Sequence, residues 1–312
     1  MAYICMDRGT DKCPCELMEA GQCYTCGMIQ TGKCDCEAGW QGVCPYTEYV
    51  QRGKKAVPGK ETRFFTVERR TDYSSELTTV TLRVPFAYGI KCRSLGAFIM
   101  AESAGWQVPL SVMENIEDQE GHICVAINAA GPKTKGLLKS TSVGSVWKVK
   151  GPYYSGLVNR EVYEPAALSV VMAKGLSLMP FINIKDRIAG NMASFYLDSS
   201  KLPDDFTEKY IGELDWQEID LETQTESAAE HIAADYDYCV RCTGMEPNVF
   251  LLVSPYFAER ITALLPERVT RGKGLILPNH SNMCCGEGLC GACSHTDKDG
   301  VTVRGCKCFE MT

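Results

Sequence analysis

The chain has 312 residues, of which 45% are hydrophobic and 23% charged, and a formal net charge of −7. That length divides naturally into two or three domains, and the acidic balance excludes the basic face a nucleic-acid binder needs to displace counterions from phosphates. No apolar run reaches the roughly 18 residues of a membrane span, and the opening "MAYICMDRGTDKC" lacks the basic head and apolar stretch of an export signal. The expectation is a cytoplasmic protein with neither nucleic acid nor membrane as partner.

Of eighteen cysteines, fourteen are clustered, eight in residues 5 to 44 and six in 284 to 308. A reducing compartment keeps thiols free, so clustered thiolates predict metal rather than disulfides. Residues 1–50 show no sustained helical or strand period, and a metal centre would supply the folding energy that burial cannot. Their cysteines, Cys5, Cys13, Cys15, Cys23, Cys26, Cys34, Cys36 and Cys44, differ in position by 8, 2, 8, 3, 8, 2 and 8, a series identical from either end. Two halves of four thiolates follow, each enough for one 4Fe–4S cluster or one tetrahedral zinc, and the spacing leaves open which cysteine serves which centre. No histidine precedes residue 122, so zinc here would be all-cysteine.

The polar segment 50–62, with its Gly and Pro, reads as a linker. Over about 63 to 156, short β-branched or alternating runs between Gly, Pro and acidic turns predict an antiparallel β-barrel. "AALSVVMAKG" (166–175) is a continuous apolar run ending at a glycine, as a buried parallel strand before a turn and helix would be. "MASFYLDSS" and "NVFLLVSPYFAERITALL" repeat the strand-then-turn pattern, so an α/β domain with a parallel sheet is expected. Before one of those strands stands a lone CxxC, Cys239 and Cys242, either a redox or metal pair or two semi-buried cysteines. Cys92 and Cys124 read as buried thiols, and the histidines at 122, 231, 280 and 295 form no catalytic pair.

The tail carries Cys285, Cys290 and Cys293 as C-x4-C-x2-C, with Cys306 twelve intervening residues later. This is the spacing of a plant-type 2Fe–2S site, and glycines at 286, 288 and 291 suit a loop that wraps tightly around a cluster. Cys284 and Cys308 remain alternatives to Cys285 and Cys306.

A tail of this kind after a barrel and an α/β domain resembles the ferredoxin reductase-like superfamily. Its cluster-bearing members include the electron-transfer subunit of dihydroorotate dehydrogenase and the small subunit of NADH-dependent reduced ferredoxin:NADP oxidoreductase. The resemblance spans roughly residues 63 to 308, is sharpest at "CGEGLCGAC", and leaves the first 50 residues outside. It implies a multi-domain α+β protein: a Cys-rich unit (1–50), an FAD-binding β-barrel (60–158), an α/β domain of nucleotide-binding type (159–278) and a 2Fe–2S segment (279–312).

"SLGAFIM" and "VPLSV" are similar to the family's flavin-contacting strands and "GPKTKGLL" to its pyrophosphate segment. The resemblance thus implies FAD contacts from Pro109, Leu110, Ser111 and Val112, and from Gly131, Lys133 and Thr134, with Ser111 and Thr134 as hydroxyl donors and Lys133 as a cation. Val108 departs from the arginine found there in many members. The family's "GGGxGxAP" loop stands here as "AKGLSLMP" (173–180), where Lys174, Ser177 and Met179 replace small residues. Its "CGP" stands as "VSP" (253–255). The expectation is a retained fold with lost NAD(P)H binding, although Lys174 is placed to reach a phosphate.

Together these readings predict an iron–sulfur flavoprotein that serves as an electron-transfer subunit of a larger oxidoreductase in anaerobic metabolism. It would carry FAD, a 2Fe–2S cluster and one or two further clusters of 4Fe–4S type, with another oxidoreductase subunit or a ferredoxin as partner. No side chain is expected to act as general acid or base, because the cofactors carry the chemistry. The alternatives are a self-contained NAD(P)H-dependent reductase with a variant pocket and a zinc-binding scaffold.

Overall fold

The computed structural model describes residues 3–34, 36, 42–103, 105–116, 121–296 and 300–310. The first fifty residues form only strand β1 (Tyr3–Cys5) and the short helices α1 (Glu16–Glu19), α2 (Gly27–Thr31) and α3 (Pro45–Gln51) among those described. Leu17, Met18, Cys26 and Pro45 are buried in and beside these helices. Ordering each residue costs roughly 1–2 kcal/mol of backbone entropy, and so few buried apolar side chains among the described residues cannot hold this unit by themselves.

The chain then builds β2 (Thr62–Asp72), β3 (Leu77–Arg83), helix α4 (Phe86–Cys92), β4 (Phe98–Ser103), β5 (Trp106–Ile116), β6 (His122–Asn128), helix α5 (Pro132–Lys139) and β7 (Val146–Tyr153). The six strands close into an antiparallel barrel in the order β2-β3-β6-β5-β4-β7. Side chains alternate across each strand, and Val80, Leu82, Ile99, Ala101, Val108, Leu110, Val112, Ile123, Val125 and Ile127 fill the interior. Their outward neighbours meet three fates. Leu77, Met113, Cys124 and Ala126 pack on the following domain, Phe98 and Met100 pack under the C-terminal tail, and Pro109 and Ser111 lie between, one exposed and one half-buried.

The second domain contains β8 (Leu157–Val158), β9 (Ser169–Lys174), α6 (Met179–Ile182), α7 (Lys185–Ile188), β10 (Met192–Asp198), α8 (Asp204–Ile211), β11 (Gln217–Glu218), α9 (Thr225–Thr243), β12 (Asn248–Leu252), α10 (Pro255–Leu264), α11 (Glu267–Thr270) and β13 (Leu275–Pro278). The sheet order is β11-β10-β9-β12-β13-β8, parallel except for the edge strand β8. Val170 to Ala173 of β9 are buried because the strand has neighbours on both sides and helices on both faces. The longest helix, α9, buries Ala228, Ala229, Ile232, Tyr236 and Cys239, one face at helical spacing, and ends at Gly244 in the left-handed conformation. Cys239 and Cys242 therefore sit at its C-terminal end, ahead of β12: Cys239 faces the core and Cys242 faces solvent.

The tail adds a hairpin of β14 (Ser294–Thr296) and β15 (Thr302–Arg304), then β16 (Cys308–Glu310). Strand β16 pairs with β1, setting Cys308 opposite Cys5, so the two ends of the chain share one small sheet. Beside it the Lys307 ammonium is buried in an ion pair with Asp7 and lies 3.3 Å from Glu287. Burial disfavours its charge, but the two carboxylates hold its pKa well above the ordinary lysine value.

The segment read as a linker is docked on its neighbours. The Val57 N–H donates to the Pro14 carbonyl (2.7 Å), Ala56 to Glu19 (2.9 Å) and Lys60 to Glu287 (3.1 Å), and Val57 is buried. Backbone donors make most of these contacts, and the Lys60 ammonium adds one by lying 5.3 Å from the Tyr153 ring centroid. Replacing Lys307 by Met should leave the Asp7 and Glu287 carboxylates buried without their cation and cost about 3–5 kcal/mol. Limited proteolysis should then release residues 1–50 ahead of the barrel; unchanged digestion would contradict this anchoring.

Candidate cofactor sites

The C-terminal loop brings together the four cysteines that its spacing singles out. Cys293 Sγ lies 3.2 Å from Cys306 Sγ, and Cys285 is hydrogen-bonded to both Cys306 and Cys290. The Cys306 thiol and the backbone N–H groups of Cys290 and Glu287 point at the Cys285 sulfur, which against its burial pulls that thiol down to about 4. Cys306 likewise draws Cys293 down to about 6. Two of the four thus favour the thiolate form, the form that binds iron. Cys285 makes these contacts and Cys284 does not enter them; Cys306 makes them and Cys308 lies with β1.

The loop is shaped against its neighbours. Gly286 has φ +69°, and a Cβ there would lie 2.8 Å from the Tyr153 ring; Gly288 has φ +77°, with the Leu17 side chain 2.9 Å from its would-be Cβ. The loop therefore closes on the barrel through one glycine and on the N-terminal unit through the other. Tyr153 donates to Glu287 (2.9 Å), Ser155 to the Cys306 carbonyl (3.0 Å) and Asn279 to the carbonyls of Ser155 (2.7 Å) and Gly305 (2.8 Å).

Next to this loop runs the strand expected to meet a flavin. Pro109 and Ser111 turn outward, opposite Met100 and Phe98 of β4, while Leu110 and Val112 point into the barrel core. Leu110 and Val112 are thus packing residues, and only their backbone is available to a ligand. The alternation that sorts them was legible at strand period two. Phe98 and Met100 are themselves covered by Met283, Cys293 and Cys306. One strand spacing, about 5 Å, therefore separates the open strip at Pro109 and Ser111 from residues that touch the cysteine loop.

At the far end of β5, Lys133 lies over the Trp106 ring, 5.0 Å from its centroid. Gly131 caps helix α5, and Thr134 closes the cap by accepting the Gly131 N–H (3.2 Å) and donating to its carbonyl (3.1 Å). The Thr134 hydroxyl is thus engaged within the turn. The first-turn amides of α5, which lack partners inside the helix, and the Lys133 ammonium are the groups suited to a phosphate. Ser111 and Trp106 are five residues apart, about 17 Å of strand.

At the C-terminal end of β9, where a parallel sheet of this order takes a dinucleotide, Lys174 folds across the crevice. Its ammonium pairs with the buried Asp198, donates to Ser200 (3.3 Å) and sits 5.2 Å from the Phe257 ring centroid. Asp198 also accepts from the Leu221 N–H at 3.0 Å. Burial raises the Asp198 pKa, but the bonds from Lys174 and Ser200 outweigh it and hold the carboxyl below its ordinary value. Met179, in place of a small residue, is buried with Leu178 against the barrel. A cavity of about 300 Å³ is lined by Leu176, Ser200, Lys201 and Asn128 among others. The role of Asp198 was missed in the sequence, because its partner is 24 residues away and nothing local signals the pair.

The N-terminal cysteines fall into two neighbourhoods. Cys5, Cys13, Cys15 and Cys23 lie close enough to influence one another's charge, and burial pushes Cys13 up to about 12 and Cys23 to about 11. Cys34, Cys36 and Cys44 form a second, more open group beside Arg8, where Cys34 and Cys36 are hydrogen-bonded and Cys44 Sγ accepts the Thr47 N–H at 3.4 Å. Cys26 is buried at the start of α2, near Cys23. Among the described residues no three His, Cys, Asp or Glu side chains are arranged to hold a single metal ion. The fit to metal therefore rests on donor chemistry, gathered soft thiolates that suit iron–sulfur clusters or zinc. Among the described residues no helix is long and apolar enough to cross a membrane.

Lys174→Met should lower stability by about 3 kcal/mol in denaturant unfolding at neutral pH, since it strands the Asp198 carboxylate. Because the fold holds Asp198 below its ordinary pKa, the pair's contribution is present at neutral pH and disappears as pH falls through the carboxylate range. The gap between variant and wild type should narrow towards acid; a gap independent of pH would contradict the pairing.

No family model matches the sequence, and no curated protein matches it. Among solved structures the chain is similar to the NADH-dependent reduced ferredoxin-NADP oxidoreductase structure described for flavin-based electron bifurcation. That match has 14% identity and a TM-score of 0.56 over 80% of this chain and 86% of that one. It is similar to phthalate dioxygenase reductase, described as a modular structure for electron transfer from pyridine nucleotides to 2Fe–2S, at 11% identity and a TM-score of 0.54 over 79% and 94%. Full-length CYP116B46 from Tepidiphilus thermophilus matches at 16% identity and a TM-score of 0.51, covering 86% of this chain but 44% of that one. With its six-stranded antiparallel barrel and parallel-sheet α/β unit, the chain has the ferredoxin reductase-like fold.

Proposed function

We propose that the chain is an iron–sulfur flavoprotein that passes electrons between FAD and iron–sulfur centres as a subunit of a larger oxidoreductase. The observation that carries this reading is the shared outer face of β4 and β5, where the strip of Pro109 and Ser111 adjoins Phe98 and Met100 beneath Cys293 and Cys306. When bound, FAD exchanges electrons in pairs or singly and iron–sulfur clusters exchange them singly.

The protein's part is to place and shield these groups. Pro109 offers a flat apolar surface and Ser111 a hydroxyl, while the first turn of α5 with Lys133 offers charge to the pyrophosphate. Cys285, Cys290, Cys293 and Cys306 would hold a 2Fe–2S cluster, and the eight N-terminal cysteines one or two further clusters of 4Fe–4S type. The Lys174–Asp198 pair occupies the dinucleotide crevice, which supports a donor other than NAD(P)H: a partner subunit or a ferredoxin, in a cytoplasmic anaerobic metabolism.

Protein purified without oxygen should contain about one FAD and roughly six to ten iron atoms per chain, two for the 2Fe–2S cluster and four for each further cluster. Zinc near two per chain with little iron and no flavin absorbance would overturn the reading in favour of a scaffold. Addition of NADH or NADPH alone should leave the flavin oxidised. Bleaching by either would show that the crevice admits a nicotinamide despite Lys174 and make the chain a self-contained reductase.

A further inference from the structure

We infer that Cys308 is a ligand of the N-terminal metal centre, so that the site is closed by the last strand of the chain and lies one residue from the C-terminal cluster. This rests on the proposal that the cysteines hold metal, and assigns a residue that spacing left as an alternative to Cys306.

Three observations support it. The β1–β16 ladder fixes Cys308 opposite Cys5, and the Met6 N–H donates to the Lys307 carbonyl at 3.0 Å, so the register is held on both sides of the pair. Cys308 is 1% exposed, packed with Val303, Tyr24 and Cys5, and its thiol is hydrogen-bonded to Cys5, with Cys23 and Cys15 close enough to influence its charge. The C-terminal loop does not need it, because Cys285 already engages Cys306 and Cys290, Cys293 Sγ lies 3.2 Å from Cys306 Sγ, and the Cys306 carbonyl is pinned by Ser155.

A three-residue ladder is too short to hold by itself, and isolated two-stranded pairs are marginal in water. A centre bonded to both strands supplies the missing energy and explains why both ends of the chain carry a cysteine at the matched position. The consequence is proximity. Cys306 and Cys308 flank Lys307, and two residues span at most about 7 Å between Cα atoms. The buried Lys307 ammonium, paired with Asp7 and 3.3 Å from Glu287, lies close enough to Cys5 and Cys15 to influence their charge.

The test is Cys308→Ser in the full chain, purified without oxygen, with Cys284→Ser as control. Cys308→Ser should lose the metal of one centre, about four iron atoms if it is a 4Fe–4S cluster, and keep its flavin absorbance and the paramagnetic signal of the reduced 2Fe–2S cluster. Cys284→Ser should keep all of them. Full metal content in Cys308→Ser, or loss of the 2Fe–2S signal in place of the N-terminal metal, would overturn the assignment while leaving the proposed function standing. Metal-free wild-type protein would overturn both. Should Cys308→Ser fail to fold, a metal-edge anomalous map of crystals of the unaltered protein decides: density bonded to Cys308 supports the assignment, and density bounded by N-terminal cysteines alone refutes it.

Discussion

A buried ammonium holds three parts of this molecule in register. Lys307 comes from the tail, Asp7 from the opening loop, and Glu287 from the cysteine loop that Tyr153 of the barrel grips. Taking these charges out of water costs several kcal/mol per ion, and the arrangement is tolerable only because each carboxylate faces the same cation. Glu287 further accepts the Lys60 N–H, which ties down the segment between the N-terminal unit and the barrel. From this junction follow the pairing of β1 with β16 and the seat of the C-terminal loop under β4.

The barrel works as a sorting device. Its inward residues make a core that says nothing of function, whereas its outward residues are divided among partners. The faces of β3 and β6 are spent on the α/β unit, β4 on the cysteine loop, and a strip of β5 is left between them. A ligand on that strip lies beside the loop without any further movement of the chain, which is the geometry electron exchange requires. At the other boundary of β5, Met113 packs with Leu178 and Met179, so the α/β unit is joined to the barrel by apolar side chains at the position where its loop departs from a glycine-rich sequence.

The sequence was most informative where the chemistry is local. C-x4-C-x2-C, the alternating strands and the apolar run of β9 each have a period or spacing that survives without knowledge of the fold. Lys174 was visible as an intruder in a glycine-rich loop, but its partner Asp198 was not, because a parallel sheet brings together positions that share no local pattern. The roles of Leu110 and Thr134 were blurred for a different reason: a motif names a stretch of chain, and only the pleat and the cap decide which side chains of it face a ligand. Cys239 and Cys242 precede a strand, as read, but stand on the long α9, which runs on to the glycine at 244 and buries one thiol while exposing the other. The pairing of Cys5 with Cys308, across nearly the whole chain, lay beyond any spacing argument.

The central claim is that flavin and C-terminal cluster share one outer face of the barrel, close enough for direct electron exchange. Flavin emission measures this most directly, in protein with its C-terminal cluster intact and in a Cys290→Ser variant that lacks it. Strong quenching in the intact protein, relieved in the variant at equal flavin content, is the result this arrangement predicts. Equal emission from the two would place the flavin elsewhere and contradict it.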